Sequence, residues 1–411
     1  MQKRRQKRYF SCESTDLEVA DIFRRYAEAY RAQNKLMPKQ HKVMNAIMNC
    51  RSSNCGQHVD MCDKCGHIEK EYNSCRDRHC PKCQGISRRK WIEARIKDIL
   101  PVPYYHVVFT LPHLLEKLIS FNKAFFYDLL FSSASETLLA FGRDPKWLGG
   151  EVGFHSVLHT WGQKLWRHLH LHIIIPGGAI SADNQWVTPR YKGKFLFPVH
   201  ALSKVFRGKF IEGLKAAHTS GELRFPPDEL HLKEKYQFER WIDRLVARKW
   251  VVYCKRPFKD PEHVLNYIGK YTHRVAISNQ RIIDDTNGYI RFWYKDYKAG
   301  KSDGIIWRTM KLQAFEFIRR FMFHVLPSGF HKIRHYGFLA NGRRKANVAL
   351  IKSLIGVCDE KDVHAESDSY TRPCPECKDG FLTTVFITGR FGMIITDFCA
   401  FYRQRMVWDS S

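Results

Sequence analysis

The sequence predicts an α+β protein with a metal-binding module near its N-terminus. Stretches of helical periodicity, such as "LEVADIFRRYAEAYRAQ" (17–33), alternate with short runs that suit strands, such as "YYHVVFTLP" (104–112) and "RHLHLHIIIPGGA" (167–179). The module is indicated by crowding: seven of the 13 cysteines fall between residues 50 and 83.

Taken in order, residues 1–10 form a basic arm, followed by the helix at 17–33 and the cysteine-rich module at about 45–90. In that module Cys62–Cys65 and Cys80–Cys83 are two CxxC knuckles, and their spacing predicts one closed tetrahedral zinc site. Cys50, His58, Cys75 and His79 remain for a second site, with Cys55 as a competitor. So small a module cannot fold on apolar burial alone, so metal supplies part of its folding energy.

A basic helix is expected around 87–100, stopped by Pro101 and Pro103 before the strand at 104–112. "FHSVLHTWG" (154–162) predicts a second strand and "HLHLHIII" a third, which Gly177 and Gly178 end. Side chains alternate along a strand. Leu169, Leu171, Ile173 and Ile175 therefore share the core face, and His168, His170 and His172 share the other. Neutral imidazole is the commonest metal ligand, and a strand holds several at fixed spacing.

Further along, "RKWVVYCKRPF" (248–258) predicts another strand. In "KDPEHVLNYIGKYTHR" (259–274), Asp260 caps a helix begun by Pro261, with Tyr267 and Tyr271 four apart on one face. Val264, Tyr267, Ile268 and Tyr271 equally suit a packing stripe. Asn287–Gly288 marks a hairpin. Near the C-terminus Cys374 and Cys377 form a CxxC without an adjacent partner, which Cys358, His364 and Cys399 could complete only irregularly; the apolar tail beyond has no assigned purpose.

The net charge of +27 suits a polyanionic partner, and aromatics interleaved with cations in "IRFWYKDYKAGK" (290–301) favour nucleic acid, whose bases stack while Lys and Arg hold phosphates. No apolar run reaches the length of a membrane span and no signal-peptide core follows the first residues, so the expected location is the cytoplasm, nucleoid-associated when bound to DNA, with no membrane partner. Oligomeric state is not encoded in these patterns.

The combination of a cysteine-rich module, a His-hydrophobic-His strand and a two-tyrosine helix, in that order, resembles the HUH transposases of the insertion-sequence ninety-one type. The phrases "YNSCRDRHCPKCQG", "YYHVVFTLP", "LHTWGQKLWRHLHLHIIIPGGAIS", "YIGKYTHRVAIS" and "GFHKIRHYGFLAN" carry the likeness. It implies an HUH-type antiparallel sheet flanked by helices, with 1–100 as basic arm, helix and zinc-binding DNA-recognition module, 101–345 as nuclease and strand-transfer domain, and 346–411 without assigned role.

The resemblance further implies that His170 and His172 bind a divalent ion and that Tyr267 and Tyr271 attack a phosphodiester of single-stranded DNA at the element ends. A 5′-phosphotyrosine and a free 3′-hydroxyl result, moving the element by a rolling-circle-like route. Imidazole suits Mn²⁺, while cellular abundance favours Mg²⁺. Gln163, His168 or an acid elsewhere could be the third ligand. Lys270, His273 and Arg274 are candidates for phosphate contact, and His331, Arg334, His335 and Tyr336 for DNA contact or structure. The competing readings are a replication initiator or relaxase of the same chemistry, and a non-catalytic zinc-containing DNA-binding protein.

Overall fold

A computed structural model describes residues 16–189, 196–258, 264, 269, 271–297, 306–357, 372–389 and 394–397. The chain opens with α1 (Val19–Gln33), whose start is fixed by a reciprocal capping box between Glu18 and Asp21, and α2 (Pro38–Met48), with proline in its first turn. The cysteine module follows with β1 (Gln57–Cys62), β2 (Ile68–Tyr72) and the basic helix α3 (Gln84–Ile96).

Next come β3 (Tyr104–Thr110), α4 (Glu116–Phe121), α5 (Lys123–Arg143), β4 (Gly150–Glu151), β5 (Gly153–Trp161) and β6 (Arg167–Pro176). The strands β7 (Ala179–Ser181) and β8 (Trp186–Val187) lead to α6 (Val199–Thr219), α7 (Lys235–Val246) and β9 (Val251–Phe258). Val264, Gly269, Tyr271 and Thr272 are helical and belong to the tyrosine helix; Asp260 and Pro261 lie outside the described residues. Then follow β10 (Ile282–Thr286), β11 (Tyr289–Asp296), β12 (Ile306–Gln313), α8 (Ala314–Phe323), β13 (Ile333–Gly337), α9 (Arg344–Leu354), β14 (Arg372–Pro373), β15 (Phe381–Thr388) and β16 (Ile394–Asp397).

The α+β expectation holds. The central sheet is antiparallel, in the order β13-β5-β6-β3-β9. As the alternation predicts, Leu169, Leu171, Ile173 and Ile175 enter one large core with Phe109 of β3, Phe126 and Leu130 of α5, Phe206 and Phe210 of α6, and Trp241 of α7. Each such side chain contributes roughly 1.5–3 kcal/mol by leaving water. On the opposite face Ile174 packs with Tyr104 and with Val264 of the tyrosine helix, and Trp91 of α3 joins them. The tyrosine helix thus lies across the histidine face, backed by α3: a Cβ on Gly269 would come within 2.5 Å of Ile92.

The expected hairpin joins β10 to β11, with Asn287 and Gly288 both at positive φ (51° and 76°), the geometry of a type I′ turn.

Packing does not follow a division at residue 100. Val19, Phe23 and Tyr30 of α1 and Val43 and Ile47 of α2 share a core with Phe292, Phe317 and Phe321 from β11 and α8. The segment after residue 346, to which no role was assigned, also returns to the N-terminal module: β15 pairs with β1 in the sheet β14-β15-β1-β2. Both are non-local pairings, which local periodicity cannot signal. Among the described residues no helix is long and apolar enough to cross a membrane.

Candidate functional site

β5 and β6 form a hairpin through residues 162–166, with His159 opposite His170 and Val157 opposite His172. Opposed residues share a face of the sheet. His159 therefore joins His170 and His172, and the ligating atoms of the three lie within 4.8 Å of one another. The sequence reading missed His159. Its signal was the hairpin itself, because the register across a short turn places "LHTW" against "RHLHLH".

Hydrogen bonds orient the rings. His170 Nδ1 lies 2.7 Å from the carbonyl of His168, so it carries the hydrogen and Nε2 keeps a lone pair. His159 Nε2 donates to the carbonyl of Tyr271 at 2.8 Å, which leaves Nδ1 free to ligate. His172 Nδ1 meets His106 Nε2 of β3 at 2.9 Å. With the hydrogen of His172 on Nδ1, the Nε2 lone pairs of His170 and His172 face each other at 3.1 Å, an arrangement that a cation relieves. Adjacent ligands of an octahedral ion with bonds of about 2.1 Å stand about 3.0 Å apart.

Burial pushes the His170 imidazole down to about 3 and holds those of His159 and His172 well below the usual range. All three are neutral at neutral pH, which is the ligating form. Of the other candidates, His168 offers its carbonyl to His170 while its ring tilts toward His113. The Gln163 side chain accepts from the Lys295 amide.

The ring of Tyr271 lies over this cluster, its centroid 4.1 Å from that of His172 and 5.4 Å from that of His106. Tyr267 and Lys270 lie outside the described residues. A groove of about 610 Å³ opens beside Tyr271, lined also by Lys164, Trp166, Arg274, Tyr294, Lys295 and Tyr297. Trp166 is 51% exposed, with the Arg320 guanidinium 3.6 Å from its ring. His273 turns elsewhere: its ring tilts against Trp91, Nδ1 pairs with the Thr272 hydroxyl, and burial pushes it down to about 4. A neutral imidazole so placed offers no positive charge to a phosphate. Arg334 pairs with Asp128 and lies over Phe131, Tyr336 stacks on Phe154, and the His335 ring pairs with His155 through their Nδ1 atoms.

The cysteines pair differently from the expectation. Cys50, Cys75, Cys80 and Cys83 form one cluster, and Cys62, Cys65, Cys374 and Cys377 another, each with its sulfurs within 4.8 Å of one another. The grouping of Cys62 and Cys65 with Cys80 and Cys83 is thereby corrected. The first pair sits at the end of β1 and the second at the start of α3, and the chain between them carries them to different sites. His58 and His79 join neither cluster. His58 Nδ1 pairs with Asn73 Oδ1, while His79 Nδ1 donates to Asp77 and its Nε2 accepts from the Leu326 amide. Arg78 reaches the carbonyls of Pro327 and Phe330, so the "DRH" stretch docks the module on the core of the central sheet. Cys55 donates to the carbonyl of Asn49. Cys358, His364 and Cys399 lie outside the described residues.

A family model described as "Putative transposase" matches residues 153–347, and one described as "Transposase zinc-binding domain" matches residues 22–111. The chain is 46% identical over 384 residues to a "Putative transposase" of Sinorhizobium fredii, covering 90% of this chain and 95% of that one. It is 27% identical over 297 residues to the transposase for insertion sequence element IS801 of Pseudomonas savastanoi pv. phaseolicola, covering 72% and 67% respectively. No solved structure matches it. The first family model spans the histidine hairpin and the tyrosine helix, the second spans the cluster of Cys50, Cys75, Cys80 and Cys83, and the chain belongs to the transposases of the insertion-sequence ninety-one type.

Proposed function

We propose that this transposase nicks and rejoins single-stranded DNA at the ends of its element by tyrosine–phosphodiester exchange. The observation that carries the reading is the convergence of His159, His170 and His172 under the ring of Tyr271, in a groove of cations and aromatics. Neutral imidazoles suit a divalent ion, Mn²⁺ or Mg²⁺, whose chemistry would be to polarise the scissile phosphate as a Lewis acid.

In this scheme the phenolic oxygen of Tyr271 attacks phosphorus, forming a 5′-phosphotyrosine and breaking the bond to the 3′ oxygen. The phenolic proton passes to solvent or a neighbouring base, and the 3′ oxygen takes up a proton from the same source as it departs, leaving a 3′-hydroxyl. One phosphoester replaces another, so rejoining needs no ATP. Tyr267, four residues away, is placed by spacing on the same helix face, and a second nucleophile allows a second strand to be cut before the first is released. Arg274 and Lys164 hold phosphates, and Trp166 and Tyr297 offer faces for unpaired bases.

Zinc at Cys50, Cys75, Cys80 and Cys83 is structural in this reading, because four thiolates leave no open coordination position. It ties α2, which ends just before Cys50, to α3 and so supports the tyrosine helix from behind. The test is cleavage of a single-stranded oligonucleotide bearing the element end. His170→Ala with His172→Ala should abolish nicking and keep most DNA affinity. Nicking at the wild-type rate by that variant would remove the ion from the mechanism, and a wild-type chain that binds but never nicks would make it a binding protein only.

A further inference from the structure

We propose that Cys62, Cys65, Cys374 and Cys377 bind a zinc ion of their own, which closes the C-terminal segment onto the N-terminal module as one zinc ribbon. The family's zinc-binding match ends at residue 111, so it contains only half of these ligands. Cys62 Sγ lies 3.7 Å from Cys377 Sγ, and Cys65 Sγ lies 3.6 Å from Cys374 Sγ. A tetrahedron with Zn–S bonds of about 2.3 Å has edges of about 3.8 Å. A disulfide would require about 2.05 Å. The four sulfurs thus stand at the spacing of one ion's ligands.

The two CxxC segments are also built alike. The amide of Cys62 donates to the carbonyl of His67 at 2.8 Å, and that of Cys374 to the carbonyl of Gly380 at 2.8 Å. The amide of Gly66 returns to the carbonyl of Cys62 and that of Lys378 to the carbonyl of Cys374. The residue after the second cysteine is left-handed in both, Gly66 at φ 72° and Lys378 at φ 60°. For a lysine that conformation is unfavourable, so the turn is held by its surroundings. Amides point at the sulfurs: those of Lys64 and Cys65 at Cys62 Sγ, and that of Gly380 at Cys377 Sγ, the pattern that favours thiolates.

These knuckles sit side by side because β1 lies between β2 and β15, with Cys62 opposite Leu382. Gly380 is required there, since a Cβ would fall 2.5 Å from Cys62 Sγ. Among the described residues, the buried apolar cluster at this end consists of Cys62, Cys374 and Leu382, with Cys377 against it. That is too little apolar surface to hold two chain segments together, and a metal supplies what burial does not. On binding, the thiols release their protons to solvent and the site closes with four sulfur ligands.

The inference rests on no part of the nicking reading, and its test reads metal content. Full-length protein should contain two zinc ions per chain by emission spectroscopy. Cys374→Ser with Cys377→Ser should leave one, Cys62→Ser with Cys65→Ser should leave one, and all four substitutions together should still leave one. A Cys374→Ser/Cys377→Ser protein that keeps both ions overturns the proposal. A second measurement needs no variant: in wild-type protein, iodoacetamide should spare Cys65 despite its exposure, and a chelator should make Cys62, Cys65, Cys374 and Cys377 reactive together. Alkylation of Cys374 and Cys377 while both ions remain bound overturns the proposal equally.

Discussion

His106→Phe isolates the role of a residue that touches no substrate in this scheme. The His106 ring stacks on His172 with centroids 5.1 Å apart and planes 14° from parallel, and on Tyr271 at 5.4 Å. Phenylalanine keeps those stacks and removes the nitrogen 2.9 Å from His172 Nδ1. His172 then loses the hydrogen-bond partner that orients its ring. Losing such an outer hydrogen bond typically weakens metal binding about 10–100-fold, or about 1.4–2.7 kcal/mol.

The assay is single-stranded nicking as a function of Mn²⁺, with ion binding followed in parallel by electron paramagnetic resonance. Half-saturation should rise by that factor, while the rate at saturating Mn²⁺ stays near wild type. An unchanged half-saturation would refute the reasoning. So would a rate loss that excess metal cannot restore, because it would move His106 from orienting a ligand to the chemistry itself.

Gly56→Ala should lower the melting temperature by several degrees: φ is 76°, and the new Cβ would lie 2.2 Å from the carbonyl oxygen of Thr388, forcing β15 away from β1. An unchanged melting temperature would contradict that docking. Arg274→Ala should weaken single-stranded DNA binding and reduce the log–log salt slope by about 0.7, measured by fluorescence anisotropy; an unaltered slope would take Arg274 off the phosphates. Burial pushes His324 down to about 3 from an ordinary 6.5, where its ring nitrogens meet the Thr160 hydroxyl and the Leu165 carbonyl. Because the folded-state value is depressed, its stabilising contribution is complete above about pH 6.5 and falls with acidification toward pH 3, by up to about 1.4 kcal/mol per unit. His324→Gln should therefore flatten the dependence of melting temperature on pH between 6.5 and 5, and an equal slope in both proteins would contradict this.

Local pattern made the strand face of His170 and His172 legible, because a period of two needs no knowledge of neighbours. The hairpin at Asn287–Gly288 was legible for the same reason, since both residues tolerate the left-handed region. What escaped was non-local. A third ligand was expected from Gln163, His168 or an acid elsewhere, and His159 becomes a candidate only when β5 pairs with β6. The cysteine spacing suggested closure within one short segment, yet Cys62 and Cys65 find their partners more than 300 residues on, through strand pairing that a CxxC pattern does not encode. The "DRH" stretch offered His79 as a ligand, but its imidazole and the Arg78 guanidinium are engaged in docking the module.

The most direct test of the central claim maps the covalent adduct. Wild-type protein, a single-stranded oligonucleotide carrying the element end, and Mn²⁺ are mixed, denatured and digested, and the DNA-linked peptide is sequenced by mass spectrometry. The account predicts a 5′-phosphate on Tyr267 or Tyr271, and no adduct from His159→Ala although that variant still binds the DNA. An adduct on any other residue, or one formed by His159→Ala at the wild-type rate, would contradict it.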